Sequence, residues 1–137
     1  MAVVEELLRA EKDGSISFGN HTLQAKEKRE DFQHGGDIYK VKTFYEITRL
    51  EKNGVFAYES VPGTSVINFN EDANTVSFIV EGDEDAQVTI GLADETTYEV
   101  FIDGKSVGRM TTNLGGKLSL SVELAGVGEV HVKVVKA

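Results

Sequence analysis

The side chains able to do chemistry are scattered along this chain of 137 residues, and none falls into a spacing that a reaction requires. With no cysteine there is neither a thiolate nucleophile nor a thiolate metal site, and no serine is expected in the strand-to-helix elbow that presents a catalytic hydroxyl. His21 and His34 flank a charged stretch and could meet Asp31 or Asp37 around a metal, but His-Glu-x-x-His and short His-x-His spacings are missing. His131 alternates with Val130 and Val132, which places it on the wet side of a strand. Gly115-Gly116-Lys117 lacks the spacing of a phosphate-binding loop. The carboxylates gather in turns, where solvent keeps both members of a pair ionised, so no acid and base for glycoside cleavage are set apart. Calcium is the better use of such oxygens: if consecutive strands run antiparallel, Asp83, Glu84 and Asp85 share one end with Asp103 as weak candidate ligands. No cofactor is expected, no other metal is assigned, and the chain is read as a non-enzyme.

The elements that would carry these residues are strands. From Thr64 onward apolar residues occupy alternate positions: Val76-Phe78-Val80, Val88-Ile90-Leu92, Tyr98-Val100-Ile102, Leu118-Leu120-Val122 and Val130-Val132-Val134. Period two means one buried face and one wet face, and turn residues every 8 to 12 positions or so indicate a sandwich or barrel. Asp103-Gly104 and Asn53-Gly54 suit two-residue type I′ turns, which fix registers. The first sets Ile102 opposite Lys105, Val100 opposite Val107 and Tyr98 opposite Arg109. The second sets Lys52 opposite Val55, Leu50 opposite Ala57 and Arg49 opposite Tyr58. The expected fold is all-β, a sandwich of about nine or ten mostly antiparallel strands spanning 1–137 as one domain, with one short N-terminal helix over Ala2 to Lys12.

Three surfaces are candidates for binding. In the expected helix Val3, Val4, Leu7 and Leu8 form an apolar stripe that something must cover, from its own sandwich or from another subunit. Tyr39, Tyr45 and Tyr58 beside Arg49 could stack on sugar rings, fill a protein interface, or form the inner face of the first sheet packed against the alternating strands from Thr64 onward. An open edge strand is the third. The net charge of −9, with no Lys or Arg between Asn53 and Gly104, argues against nucleic acid and anionic membranes and suits a basic protein partner. Without a basic, apolar leader or a long apolar run, the expected location is cytoplasmic.

Thr97-Tyr98-Glu99-Val100-Phe101-Ile102-Asp103-Gly104-Lys105-Ser106-Val107-Gly108, followed by Thr112 to Val122, resembles the hairpin rhythm of small β-sandwich modules found at the ends of polysaccharide-degrading enzymes. Together with Glu5-Glu6-Leu7-Leu8, Ser17-Phe18-Gly19 and Tyr58 to Thr64, the chain is similar to short uncharacterised bacterial proteins sometimes labelled "endosialidase". The resemblance implies a β-sandwich. Sialic-acid hydrolysis draws on clustered arginines, whereas Arg9, Arg29, Arg49 and Arg109 lie in separate segments, so no catalytic residue is carried over. The expected function is a non-enzymatic structural or interaction protein that self-associates as a homo-oligomer. Carbohydrate binding through Tyr39, Tyr45, Arg49 and Tyr58 is the alternative, and an uncharacterised hydrolase a weaker one.

Overall fold

The computed structural model describes residues 3–137 and is an all-β sandwich. Its thirteen strands are β1 (Leu8–Ala10), β2 (Ile16–Phe18), β3 (Glu27–His34), β4 (Asp37–Thr43), β5 (Thr48–Lys52), β6 (Val55–Val61), β7 (Ser65–Glu71), β8 (Thr75–Glu81), β9 (Ala86–Gly91), β10 (Thr97–Ile102), β11 (Lys105–Thr111), β12 (Lys117–Val122) and β13 (Val130–Lys136). The larger sheet runs β1-β2-β7-β8-β13-β10-β11 and the smaller β12-β9-β6-β5-β4-β3. Every paired neighbour is antiparallel. Among the described residues no helix is long and apolar enough to cross a membrane.

The expected N-terminal helix is absent among the described residues, and Ala2 lies outside them. A turn closes Val4 to Leu7, with the Leu7 amide donating to the Val4 carbonyl at 2.9 Å and Leu7 at φ 71°. The chain then extends as β1 along β2, Leu8 opposite Phe18. So short a helix is marginal alone, whereas the extended chain pairs with the open edge of β2 and still buries apolar side chains. Val4 and Leu8 are fully buried in the protein's own interior, while Val3 and Leu7 are half-buried. The stripe is therefore covered largely from within the chain.

Thirteen strands replace nine or ten for three local reasons. β1 stands where the helix was expected. The charged stretch before Gly35-Gly36 becomes β3, an edge strand whose side chains are mostly exposed, so no apolar alternation marks it. The run from Ile38 to Leu50 is two strands, broken at Phe44–Ile47, where the Tyr45 amide bonds the Leu23 carbonyl and the Tyr45 carbonyl accepts from the Gly63 amide. A Cβ at Gly63 would overlap the Phe44 carbonyl oxygen, which explains a residue without a side chain there.

Both hairpins begin in the expected register and then slip by one residue. Lys52 faces Val55 and Glu51 faces Phe56, but a bulge at Ala57 makes Leu50 face Tyr58 and Arg49 face Glu59. Ile102 faces Lys105, but a bulge at Val107 makes Val100 face Gly108 and Tyr98 face Met110. One extra residue moves every later side chain to the other face. Tyr58 thereby points into the core, away from Phe56 on the outer face, and its ring meets Phe18 and Phe78 edge-on at 5.2 and 5.6 Å. Val107 is turned outward.

Buried hydroxyls hold the core's polar end. Thr64 Oγ1 lies 2.8 Å from Tyr58 Oη and 2.7 Å from Ser60 Oγ, and Thr48 Oγ1 donates to the Thr64 carbonyl at 2.7 Å while lying 2.8 Å from Thr43 Oγ1. Burial pushes the Tyr58 hydroxyl up to about 12 against the hydrogen bonds of Thr64 and Ser60, which act the other way. Tyr58→Ala should cost about 3–5 kcal/mol in urea unfolding by emptying the aromatic cluster. Tyr58→Phe, which removes only the hydroxyl, should cost about 1 kcal/mol. Equal costs for the two would contradict this picture of ring and hydroxyl.

Candidate functional site

Of the four residues expected to offer an aromatic face, the sandwich keeps two outside. Tyr39 and Tyr58 point into the core, Tyr45 sits 46 % exposed in the turn before β5, and Arg49 stands on the outer face of the smaller sheet. Arg49 is engaged by its own sheet: Glu51 and Glu59 lie 3.7 and 3.8 Å away, and its guanidinium carbon is 5.6 Å from the Phe56 ring centre. Lys117 Nζ covers the same ring at 4.6 Å. The four residues expected to bind sugar thus form no common platform. The alternation that suggested one is broken by the bulge at Ala57.

The acidic turns do share an end, as antiparallel strands require, but their carboxylates serve the backbone. Asp85 Oδ1 accepts from the amides of Leu124 and Ala125 at 2.9 and 3.0 Å, and Asp103 Oδ1 from that of His131 at 2.9 Å. Glu84 lines a cleft with Asp83, His21 and Tyr45. Asp83 Oδ1 lies 3.7 Å from His21 Nε2. Among the described residues, no group of three or more His, Asp or Glu is placed to hold a metal ion.

Two arrangements with the residue types of a hydrolase emerge that the sequence reading passed over. Ser65 Oγ is 2.7 Å from His21 Nδ1, 44 positions away in sequence, and with Asp83 beyond the ring this makes a Ser-His-Asp line. Ser65 is wholly buried and His21 nearly so, which puts that hydroxyl beyond the reach of a substrate. The letters Gly104-Lys105-Ser106-Val107-Gly108 also fit Gly-x-Ser-x-Gly. They form a hairpin turn and an edge strand with no helix after them, and Ser106 Oγ donates to Glu99 Oε2 at 2.7 Å.

The open surfaces are a groove, an end pocket and a seam. The groove, about 570 Å³, crosses the outer face of the larger sheet over β7, β8, β13 and β10. The pocket, about 320 Å³, opens between the sheets near Ala57, Val76, Leu92 and Tyr98. The seam is the side of the sandwich where β11 and β12 are both edges. On the opposite side β1 and β3 are latched together, since Arg29 Nη1 donates to the Glu6 and Leu8 carbonyls at 3.1 and 2.8 Å. At the open seam all seven residues of β11 are exposed.

Burial holds the His21 imidazole below its ordinary value of 6.5, opposed by the charges of Asp83 and Glu81. A buried neutral histidine that must charge on unfolding binds fewer protons in the native state, so stability rises with pH through its titration. The unfolding midpoint should hold above about pH 6.5 and fall as the solution is acidified below it, and His21→Gln should flatten that slope. For the turn carboxylates, Asp85→Ala should cost about 1–3 kcal/mol through the two amides it strands, to the same extent in calcium and in chelator. A calcium-dependent cost would reinstate a metal role for that turn.

No protein-family model, no curated protein and no solved structure matches the chain.

Proposed function

We propose that this chain is a non-catalytic interaction protein that self-associates, and that the contact is made at the open seam. Of the three surfaces available for self-association, the N-terminal stripe has Val4 and Leu8 in the core and the aromatic hairpin has Tyr39 and Tyr58 there, which leaves the edge. The observation that carries the reading is the difference between the two sides of the sandwich. One is latched by Arg29, whereas the other presents two unpaired strand edges with Val107, Met110 and Leu114 at 59, 36 and 75 % exposure on β11 and the turn that follows it. Exposed apolar side chains beside unpaired backbone groups favour burial against another chain.

Charge points to a second copy as the occupant. From Lys105 to Val122 there are three cations and no carboxylate, while the rest of the chain carries 11 Lys and Arg against 23 Asp and Glu. The seam is thus a locally basic strip on an acidic protein, where another copy of the same acidic chain meets the least repulsion. A two-fold contact would set this basic strip against itself, so the charge pattern favours a head-to-tail contact in which the seam of one copy meets the acidic surface of the next, closing into a ring of fixed number.

Light scattering at two concentrations tests this. The native particle should be a fixed multiple of the 14.9 kDa chain. The double substitution Val107→Asp, Leu114→Asp should reduce it to a folded monomer whose unfolding midpoint no longer depends on protein concentration, because both side chains are already exposed in the single chain. A wild-type protein that is monomeric at both concentrations overturns the proposal.

A further inference from the structure

The outer face of the larger sheet carries a row of polar side chains that the fold leaves unused. Asn70 of β7 is opposite Ser77 of β8, Ser77 is opposite Lys133 of β13, and Lys133 is opposite Phe101 of β10. All four line the groove, and the row spans three strand spacings, about 14 Å at about 4.8 Å each. Ile79, opposite His131 in the adjoining row, adds an apolar patch to the floor. One wall is built up by Asn68, which sits at φ 55° in a bulge of β7 and is held by its amide to Ser15 Oγ at 3.1 Å. The turn at Gly104 borders the other side beyond Phe101.

Elsewhere on the outer faces, polar residues opposite one another bond across the strands. Thr97 Oγ1 meets Thr111 Oγ1 at 2.8 Å, Thr89 Oγ1 meets Ser119 Oγ at 2.9 Å, and Ser121 Oγ donates to Gln87 at 3.0 Å. Among the described residues, Asn70, Ser77 and Lys133 have no such side-chain partner, and Lys133 has no carboxylate within ion-pair distance. A carboxamide, a hydroxyl and an ammonium in line, ending on a half-buried aromatic ring, leave several donors and acceptors and one apolar face free together.

We infer that this groove is a binding site for a linear pyranose oligosaccharide lying across the strands. A pyranose ring presents vicinal hydroxyls at its edge, which Asn70, Ser77 and Lys133 can each bond, and an apolar C–H face, which Phe101 and Ile79 can cover. A peptide that adds to a sheet uses the backbone of its edge, not the centre of its face, so the location in the middle strands disfavours one. The net charge of −9 disfavours a nucleic acid. The site lies on the opposite sheet from Arg49 and depends on none of Tyr39, Tyr45 or Tyr58. It is also separate from the seam, so the two proposals stand or fall independently.

The test is titration of the protein with a neutral hexose tetrasaccharide and with a uronic-acid tetrasaccharide, followed by amide chemical shifts and calorimetry. Binding of either sugar with shifts centred on β7, β8, β13 and β10 is expected. Phe101→Ala should weaken it about tenfold by removing the stacking ring, and Asn70→Ala should weaken it as well, with the amide spectrum of each variant remaining that of the folded chain. The two sugars separate the sources of the chemistry: a carboxylate-bearing glycan loses affinity selectively with Lys133→Gln, whereas a neutral one is affected little more than by loss of a single hydrogen bond. Failure of both sugars to bind at millimolar concentration overturns the inference, as does binding that neither Phe101→Ala nor Asn70→Ala weakens.

Discussion

The hydroxyl cluster around Thr64 is the constraint on which the rest of the sandwich depends. Thr64 ends the chain's crossing from the smaller sheet to the larger, immediately before β7, and its side chain and backbone are buried there. Burying an unpaired hydroxyl costs about 1–3 kcal/mol in proteins, so several of them together are tolerable only if they satisfy one another. They do so here: Thr43, Thr48, Ser60, Thr64 and Tyr58 lie within hydrogen-bond distance in a connected set, and the Asn20 amide donates to Thr43 Oγ1 at 3.0 Å. That set joins β4, β5 and β6 to the start of β7, and it fixes the end of Tyr58 around which Phe18, Phe69 and Phe78 pack.

Bulges convert this scaffold into a molecule with distinct outer surfaces. The extra residue at Ala57 sends Tyr58 inward and leaves Arg49 and Phe56 outside, where Lys117 and two glutamates occupy them. The one at Val107 shifts the register of an edge strand whose seven residues are all exposed. The irregularity between Ile67 and Asn70 returns Phe69 to the core while lifting Asn68 and setting Asn70 on the outer face. In the first and last of these one inserted residue decides which chemistry faces solvent, because the side-chain period of a strand is two.

The charge distribution follows the same division of labour. Carboxylates near turns cap backbone amides, as Asp85 and Asp103 do, so part of the acidity is structural. The few cations are spent locally: Arg29 latches one side of the sandwich, Lys52 reaches Glu71 at 3.0 Å across the sheets, and Arg49 pairs within its own sheet. Lys105 and Arg109 fall instead at the open seam and Lys133 on the groove floor, two of the surfaces the molecule leaves open.

The sequence by itself determined the all-β class and the sides of the later strands, since Val76-Phe78-Val80, Val88-Ile90, Leu118-Leu120-Val122 and Val130-Val132-Val134 face inward as their alternation requires. It also determined both hairpin turns and their first residue pairs, because Asn-Gly and Asp-Gly admit the needed positive φ. Tertiary structure decided the rest. The i, i+4 spacing of Val4 and Leu8 is met equally by a helix and by a turn leading into a strand, and only the open edge of β2 selects the second. The charged β3 has no period to read, because an edge strand buries little. A bulge leaves no mark in the alternation before it, so the inner face expected for the hairpin holds for Tyr39 and Tyr58, whereas Phe56 and Arg49, read on that same face, lie outside. The groove joins Asn70, Ser77, Phe101 and Lys133, four strands brought side by side by a β8-β13-β10 order that depends on long-range pairing and on no local signal.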